Sequence, residues 1–344
     1  AADAADDFDR ERVAARGALA DLVEGLRAGD AFERLQAVAL HELGVAHVFE
    51  AEQNHIDVLP LLPLLERRPL RREVLVLLVD DLVVALRAEL LADREVVPRL
   101  GVLDALGERV AALPDRVDVA LFPEYALTGF VADGRARTVA LDRDGPELDR
   151  IRSIAAAADL AVVAGYLEHE TCDDRLYNAL AYVSPDGDTT VYRKRHLRGD
   201  EADVVTPGDE RVVVETPAGP AGLVTCYDLN FVGDSAALAA DGVDALFVAG
   251  AWPAAHSENW RLLLRARALD GVRWVVGAGR TGARDVPNAS ETVYAGRSAV
   301  VRPDGAVAAA LNRGERDLIA DLDPAVLAEQ REFIPVLDTI ERHD

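Results

Sequence analysis

The sequence predicts a layered α/β domain built on a mixed sheet, with a helical region ahead of it. From about residue 80 onward, apolar runs of strand length alternate with stretches whose apolar residues recur at helical spacing. Hairpin signals at Asp186-Gly187 and Pro303-Asp-Gly305 interrupt that alternation, so antiparallel pairs accompany any parallel ones. Residues 1 to about 78 lack the rhythm and show helical spacing alone.

In the N-terminal region Leu19, Leu22, Val23 and Leu26 share one helical face, and Phe32, Leu35, Val38 and Ala39 another. Gly29-Asp30 breaks them, with Asp30 as an N-cap. Proline punctuates the link Leu59 to Leu65, and Arg67-Arg68-Pro69 marks a boundary. His41, His47 and His55 have no metal-ligand spacing and are read as solvated or capping residues. Strands are predicted at Leu82 to Leu86, Val117 to Phe122, Leu160 to Gly165, Leu180 to Val183 and Thr189 to Arg193. More follow at Arg211 to Glu215, Gly222 to Thr225, Ala245 to Ala249, Trp274 to Ala278, Ala299 to Val301 and Ala306 to Leu311. Helices are predicted at Val102 to Leu113, Ile151 to Ala158 and Asn259 to Leu269.

Composition bounds the function. The 344 residues allow about two domains, and half of them are apolar, enough for a sizeable core. A formal charge of -24 repels nucleic acid and anionic membrane surfaces. The carboxylates are dispersed rather than blocked, as suits a protein of a very salty, halophilic cytosol where screening removes self-repulsion. Two cysteines, Cys172 and Cys226, fit a reducing compartment without disulfides. The acidic stretch Ala1 to Asp7 has no signal-peptide pattern, and the apolar run Val74 to Val79 is far too short for a bilayer. A soluble cytoplasmic protein is expected. No Gly-rich phosphate loop or GxGxxG is present, so no nucleotide cofactor is expected.

Three strand ends carry reactive groups. In Gly222-Leu-Val-Thr-Cys226-Tyr-Asp-Leu-Asn-Phe231 an apolar strand delivers a thiol to a turn. Phe122-Pro-Glu124-Tyr-Ala-Leu-Thr-Gly-Phe130 places a carboxylate just after a buried strand, where proline stops the ladder. Tyr192-Arg-Lys194-Arg-His-Leu197 brings the single lysine of the chain to the end of a hairpin strand. Where arginine serves everywhere else, a retained lysine points to a task that arginine cannot do, since only lysine is a compact charge able to release its proton. Read alone, each residue has a bland alternative: a packed cysteine, a surface carboxylate, a basic turn. Together they suit one chemistry. A carboxylate takes the thiol proton, an ammonium stabilises the oxyanion, and the thiolate attacks a carbonyl or nitrile carbon to give a thioester that water resolves.

These three motifs resemble the glutamate, lysine and cysteine motifs of the nitrilase superfamily of carbon–nitrogen hydrolases, in the family's order, over roughly residues 80 to 344. Gly165 to Glu168, Leu176-Tyr-Asn178, Glu201 with Thr206-Pro-Gly208, Trp260 to Asp270 and Gly277 to Gly282 are similar to flanking segments. The resemblance implies a four-layer αββα sandwich behind an N-terminal helical extension, residues 1–78. It implies Glu124 as general base, Lys194 as electrostatic stabiliser, Cys226 as nucleophile and Glu201 as a supporting carboxylate. It further implies walls from Tyr125, Tyr227 and Trp252, no metal, no organic cofactor, a small amide-like substrate and a homo-oligomer. Tyr227-Asp228 looks like the amidase and carbamoylase branches, whereas nitrile-cleaving members usually carry Trp-Glu there. Two departures stand out. Asn230 occupies a position where carboxylate-binding branches keep a basic residue, which predicts a neutral or cationic amide. Asp270-Gly271 replaces the family's Glu-Asn pair. Two alternatives remain open: acyl transfer from the same thioester to an amine, and a scaffold acting through the N-terminal helices.

Overall fold

Strands that are apolar along both faces must be covered on both, and that requirement organises the chain. The structure, a computed structural model, describes residues 73–77, 97–129, 132–284 and 292–339. The chain divides into two units, Ala1–Arg68 and Pro69–Asp344, and everything described belongs to the second. Its elements open with β1 (Glu73–Leu77), α1 (Val97–Ala111), β2 (Val117–Leu121), α2 (Ala136–Val139) and α3 (Pro146–Ala158). The meander β3 (Ala161–Glu170), β4 (Arg175–Val183) and β5 (Thr189–Arg193) follows. Next come β6 (Val213–Thr216), β7 (Gly219–Thr225), α4 (Val232–Ala240), β8 (Ala245–Gly250), α5 (Ser257–Asp270) and β9 (Trp274–Gly279). The ribbon β10 (Ala283–Arg284) and β11 (Thr292–Val293) precedes β12 (Ala299–Val301), β13 (Val307–Ala310), β14 (Asp317–Asp321) and α6 (Pro324–Phe333).

Two six-stranded sheets result, in the orders β14-β1-β2-β3-β4-β5 and β13-β12-β9-β8-β7-β6. Parallel pairing runs through β1-β2-β3 in one and β7-β8-β9 in the other, and the remaining neighbours are antiparallel. Residues of β8 alternate strictly: Ala245, Phe247 and Ala249 face the opposite sheet, while Leu246 and Val248 face helices. Val119, Leu121, Val163 and Leu180 meet Leu223, Phe247, Val276 and Val300 in the layer between the sheets. Outside the first sheet Leu103, Leu106, Leu148 and Ile151 of α1 and α3 cover Ala120, Val162 and Ala181. Outside the second, Leu238, Trp260 and Leu264 of α4 and α5 cover Val224, Val248 and Val275. The order of layers is αββα, as the resemblance implied, and the periodicity alone had given only one mixed sheet.

Glu73–Leu77 corrects one expectation. The helical region was drawn through residue 78, but these five residues form a strand between β14 and β2. Their alternation is masked because the strand is apolar from Val74 onward. The expected strand Leu82 to Leu86, the helical faces before residue 70 and His41, His47 and His55 lie outside the described residues. Helices α4 and α6 and strand β14 were not foreseen. Among the described residues no helix is long and apolar enough to cross a membrane.

Candidate active site

Glu124, Lys194 and Cys226 follow the C-terminal ends of β2, β5 and β7. Beyond β2, Pro123 ends the ladder and the chain folds back through Tyr125, whose φ of 55° is left-handed. This turn is possible because Gly165 in β3 has no side chain. A Cβ there would sit 2.6 Å from Tyr125 N and 2.8 Å from Glu124 Cα. Thr128 fixes the far side, its Oγ1 accepting from Leu167 N at 2.9 Å. Arg280, just past β9, donates through Nη1 to the carbonyls of Glu124 (3.2 Å) and Tyr125 (3.1 Å). Glu124 is thereby aimed inward and is only 3% exposed.

Lys194 follows β5 and lies between two carboxylates. Its Nζ donates to Glu124 Oε1 at 2.9 Å and to Glu201 Oε2 at 2.8 Å. Asn178 on β4 bridges the same pair, with Nδ2 donating at 2.7 Å to Glu124 Oε1 and to Glu201 Oε1. Tyr125 Oη donates to Glu201 Oε1 at 2.7 Å, and Ala251 N to Glu124 Oε2 at 2.8 Å. Burial alone would depress the ammonium of Lys194, but the charges of Glu124 and Glu201 outweigh it and hold the group above its ordinary value. Burial works likewise against the Glu201 carboxylate, yet Lys194 pulls it below its usual range. Both are ionised at neutral pH.

Cys226 opens a 3-10 turn, Cys226–Asn230, at the end of β7, with a left-handed φ of 50°. Such a conformation in a non-glycine residue stores strain on the order of 1–3 kcal/mol and marks a position the surroundings enforce. Asp228 enforces it. Its Oδ2 accepts from Thr225 N at 3.2 Å and from Tyr192 Oη at 2.7 Å, and its Oδ1 from His196 N at 2.9 Å. One carboxylate therefore ties the cysteine turn to both flanks of Lys194. Burial raises its pKa to about 6. Burial, then the Glu124 charge, pushes the Cys226 thiol well above its ordinary value, so the resting sulfur is protonated beside that carboxylate.

The groups open into one cavity of about 480 Å³. All seven residues singled out in the sequence line it: Glu124, Lys194, Cys226, Glu201, Tyr125, Tyr227 and Trp252. Tyr227 packs edge-on against Phe231, with centroids 5.5 Å apart, and Trp252 lies against Trp260 at 5.7 Å. Sequence reasoning gave no role to Asn178, Asp228 or Arg280, nor to Arg198 and Arg284, which also line the cavity. Asn178 had a usable signal, as a polar residue inside a strand that is buried throughout after Arg175. Among the described residues no group of three His, Cys, Asp or Glu side chains is placed to hold a metal ion.

Comparison with known proteins agrees with the geometry. Residues 77–332 match the family model described as carbon-nitrogen hydrolase. The chain is 32% identical to an (R)-stereoselective amidase of a Pseudomonas species, over 62% of this chain and 76% of that protein. It is also 32% identical to an omega-amidase of Xenopus tropicalis, over 69% of this chain and 84% of the relative. In structure it resembles a carbon–nitrogen hydrolase superfamily protein of Xanthomonas campestris that carries an arsenic adduct in its active site. That match has a TM-score of 0.67 and 25% identity, covering 80% of this chain and 98% of the other. A Nesterenkonia amidase shares the fold, with a TM-score of 0.63 and 21% identity over 78% and 97% of the two chains. The match extends over more than half of the sequence, and the chain belongs to the carbon–nitrogen hydrolase family, as an enzyme acting on carbon–nitrogen bonds.

Proposed function

We propose that the enzyme cleaves a non-peptide amide or N-carbamoyl bond through a thioester on Cys226. The observation that carries this is the enclosure of Lys194 between Glu124 and Glu201 next to a protonated, strained cysteine in one cavity. Glu124 takes the thiol proton as Sγ attacks the carbonyl carbon. Lys194, held above its ordinary value by the carboxylates around it, keeps its charge at neutral pH, and that charge serves the oxyanion of the tetrahedral intermediate. The protonated Glu124 returns its proton to the departing nitrogen, and ammonia or an amine leaves. Glu124, again a carboxylate, then deprotonates a water that attacks the thioester; the acid is released and the thiol restored. Glu201, Asn178 and Asp228 hold these groups without entering bond changes. Relatives that bear amidase names support an amide over a nitrile.

The proposal carries with it a hydrolase domain that begins at β1, a homo-oligomer, and a salty cytoplasm as its setting. Intact-mass spectrometry after incubation with a panel of amides, N-carbamoyl amines and nitriles, in molar salt, tests the chemistry. A substrate-specific acyl adduct that vanishes in Cys226→Ala, with ammonia released, is the expected outcome. Glu124→Gln should lower kcat about 10²–10⁴-fold, and Lys194→Met about 10²–10³-fold. Folded protein that gives neither adduct nor ammonia across the panel overturns the proposal and favours the scaffold alternative.

A further inference from the structure

The turn between α5 and β9 combines strain with a buried charge that the hydrolysis does not use. Val272 has a left-handed φ of 41° although it is β-branched and fully buried. Such a conformation persists only where the surroundings enforce it. Gly271 beside it has φ -106° and ψ 2°, a conformation that residues other than glycine also adopt, so its missing side chain answers to space rather than to the backbone. Arg273 takes that space. A Cβ on Gly271 would lie 2.5 Å from both Cζ and Nε of its guanidinium. Arg273 is fully buried, and burial lowers its pKa only to about 10, so it stays charged at neutral pH. Its Nε donates to Arg267 O at 3.2 Å, and its Nη2 to Ser235 O at 3.1 Å and to Ser235 Oγ. Arg331 of α6 holds the same turn, its Nε donating to Val272 O at 3.3 Å. Arg267 connects this cluster to the reactive end. Its Nε donates at 2.9 Å to Leu229 O, inside the 3-10 turn that Cys226 opens, and its Nη1 to Asp270. Asp270 also accepts from Ser235 Oγ at 3.1 Å, which closes a ring through Arg267, Asp270, Ser235 and Arg273.

We propose that Arg273 is a positioning residue for Cys226: seated in the space that Gly271 leaves, its guanidinium locks Arg267 and Ser235, and Arg267 in turn fixes the cysteine turn through Leu229 O. This rests on the reading of Cys226 as the nucleophile. Asp228 holds that turn at its entry, through Thr225 N, and Arg267 holds it at Leu229, so the left-handed Cys226 is pinned on both sides in the chain. Arg273 touches no reacting atom and enters no bond change. Its planar fork reaches two carbonyls and a hydroxyl from fixed directions, whereas a lysine would offer a flexible point charge. The pairing also accounts for the departure at Asp270-Gly271, because any side chain at 271 would compete with the guanidinium for one volume.

The test reads Cys226 in two ways, by butyramide hydrolysis and by the rate of its alkylation with iodoacetamide followed by intact mass. Both are run in a Cys172→Ser background, which removes the exposed thiol. The variants are Arg273→Lys, Arg273→Ala, Gly271→Ala and the double variant Gly271→Ala with Arg273→Ala, each assayed well below its melting temperature. Arg273→Lys and Gly271→Ala should each lower kcat about tenfold, with KM held within about twofold, and slow alkylation by a similar factor. The double variant should match Arg273→Ala alone, because the vacated space admits the added methyl group and the two losses do not add. Should Arg273→Ala fail to fold, Arg273→Lys and Gly271→Ala decide the matter. Losses that add, or folded variants whose kcat and alkylation rate do not fall although the melting temperature does, overturn the proposal and leave Arg273 a structural residue only. Slowed alkylation in the variants, with no ammonia or acyl adduct from the wild type, would refute the thioester chemistry and leave the positioning role standing. Turnover that depends on Cys226 but is unchanged in Arg273→Lys and Gly271→Ala would do the reverse.

Discussion

Asp228 is the residue at which stability and function pull apart. Its carboxylate joins the Cys226 turn to the Lys194 strand end, yet it is buried, and burial raises its pKa from 3.8 to about 6. A raised folded value means that the folded state binds this proton more tightly than the unfolded chain does. The favourable contribution is complete below 3.8 and is lost as pH rises through about 6. Holding the group ionised at neutral pH costs about 3 kcal/mol of stability, from a two-unit shift. Asp228→Asn removes that cost, but its amide has one acceptor oxygen for three donors, Thr225 N, Tyr192 Oη and His196 N. We therefore expect the unfolding free energy of the variant, relative to wild type, to improve by up to about 3 kcal/mol between pH 4 and pH 8. Its kcat at pH 8 should fall at least tenfold. Denaturant titrations at both pH values measure the first, and parallel stability profiles would show that Asp228 carries no shifted proton.

At the scale of elements, the site depends on strand ends that approach closely because glycine permits it. Gly165 of β3 is the clearest case, since a Cβ would meet only backbone: Tyr125 N at 2.6 Å, Pro123 O at 2.7 Å and Glu124 Cα at 2.8 Å. None of these is the far end of a flexible side chain, so the turn that carries Glu124 must move. Gly165→Ala should cost about 1–3 kcal/mol in stability through overpacking. It should also lower kcat about 10²-fold if Glu124 acts as proposed, because a displacement of roughly 1 Å spoils the alignment of a reacting group. Thermal melting and steady-state rates separate the two effects. An unchanged kcat would mean that the turn yields without displacing the carboxylate. Legibility at this scale was uneven for a physical reason. The hairpin at Asp186-Gly187 was legible because its turn chemistry is local, and Thr189–Arg193 emerges as predicted. Strand β1 was missed because its partners, β14 and β2, are far away in sequence and no turn signal announces it.

For the whole molecule, charge is the dominant fact. A formal charge of -24 on one chain produces self-repulsion that water at low ionic strength leaves largely unscreened. Arginine pairs answer part of it: Glu168, fully buried, is held by Arg143 Nε and Arg193 Nε at 2.7 Å each. The melting temperature should therefore rise between low and molar salt, as the Debye length contracts from tens of ångströms to about 3 Å. An unchanged melting temperature would show that the ion pairs, rather than added salt, balance the surface.

The sequence by itself determined the chemistry available: one lysine, a cysteine at a strand end and a glutamate after a proline-stopped strand, each set by local residues. It also determined the alternation of helices and strands, because apolar periodicity is a property of neighbours in the chain. Only the tertiary structure decided that two sheets stack rather than one extends, since strands buried on both faces carry no mark of which sheet they join. The tertiary structure alone decided, too, that Asn178 bridges two carboxylates, that Asp228 links the cysteine turn to the lysine strand, and that Arg198 and Arg284 share a cavity with Cys226. Apart from the local bond of Thr225 N to Asp228, those contacts join residues tens of positions apart, and hydrogen bonding and burial at such separations are settled by packing, which no local pattern encodes.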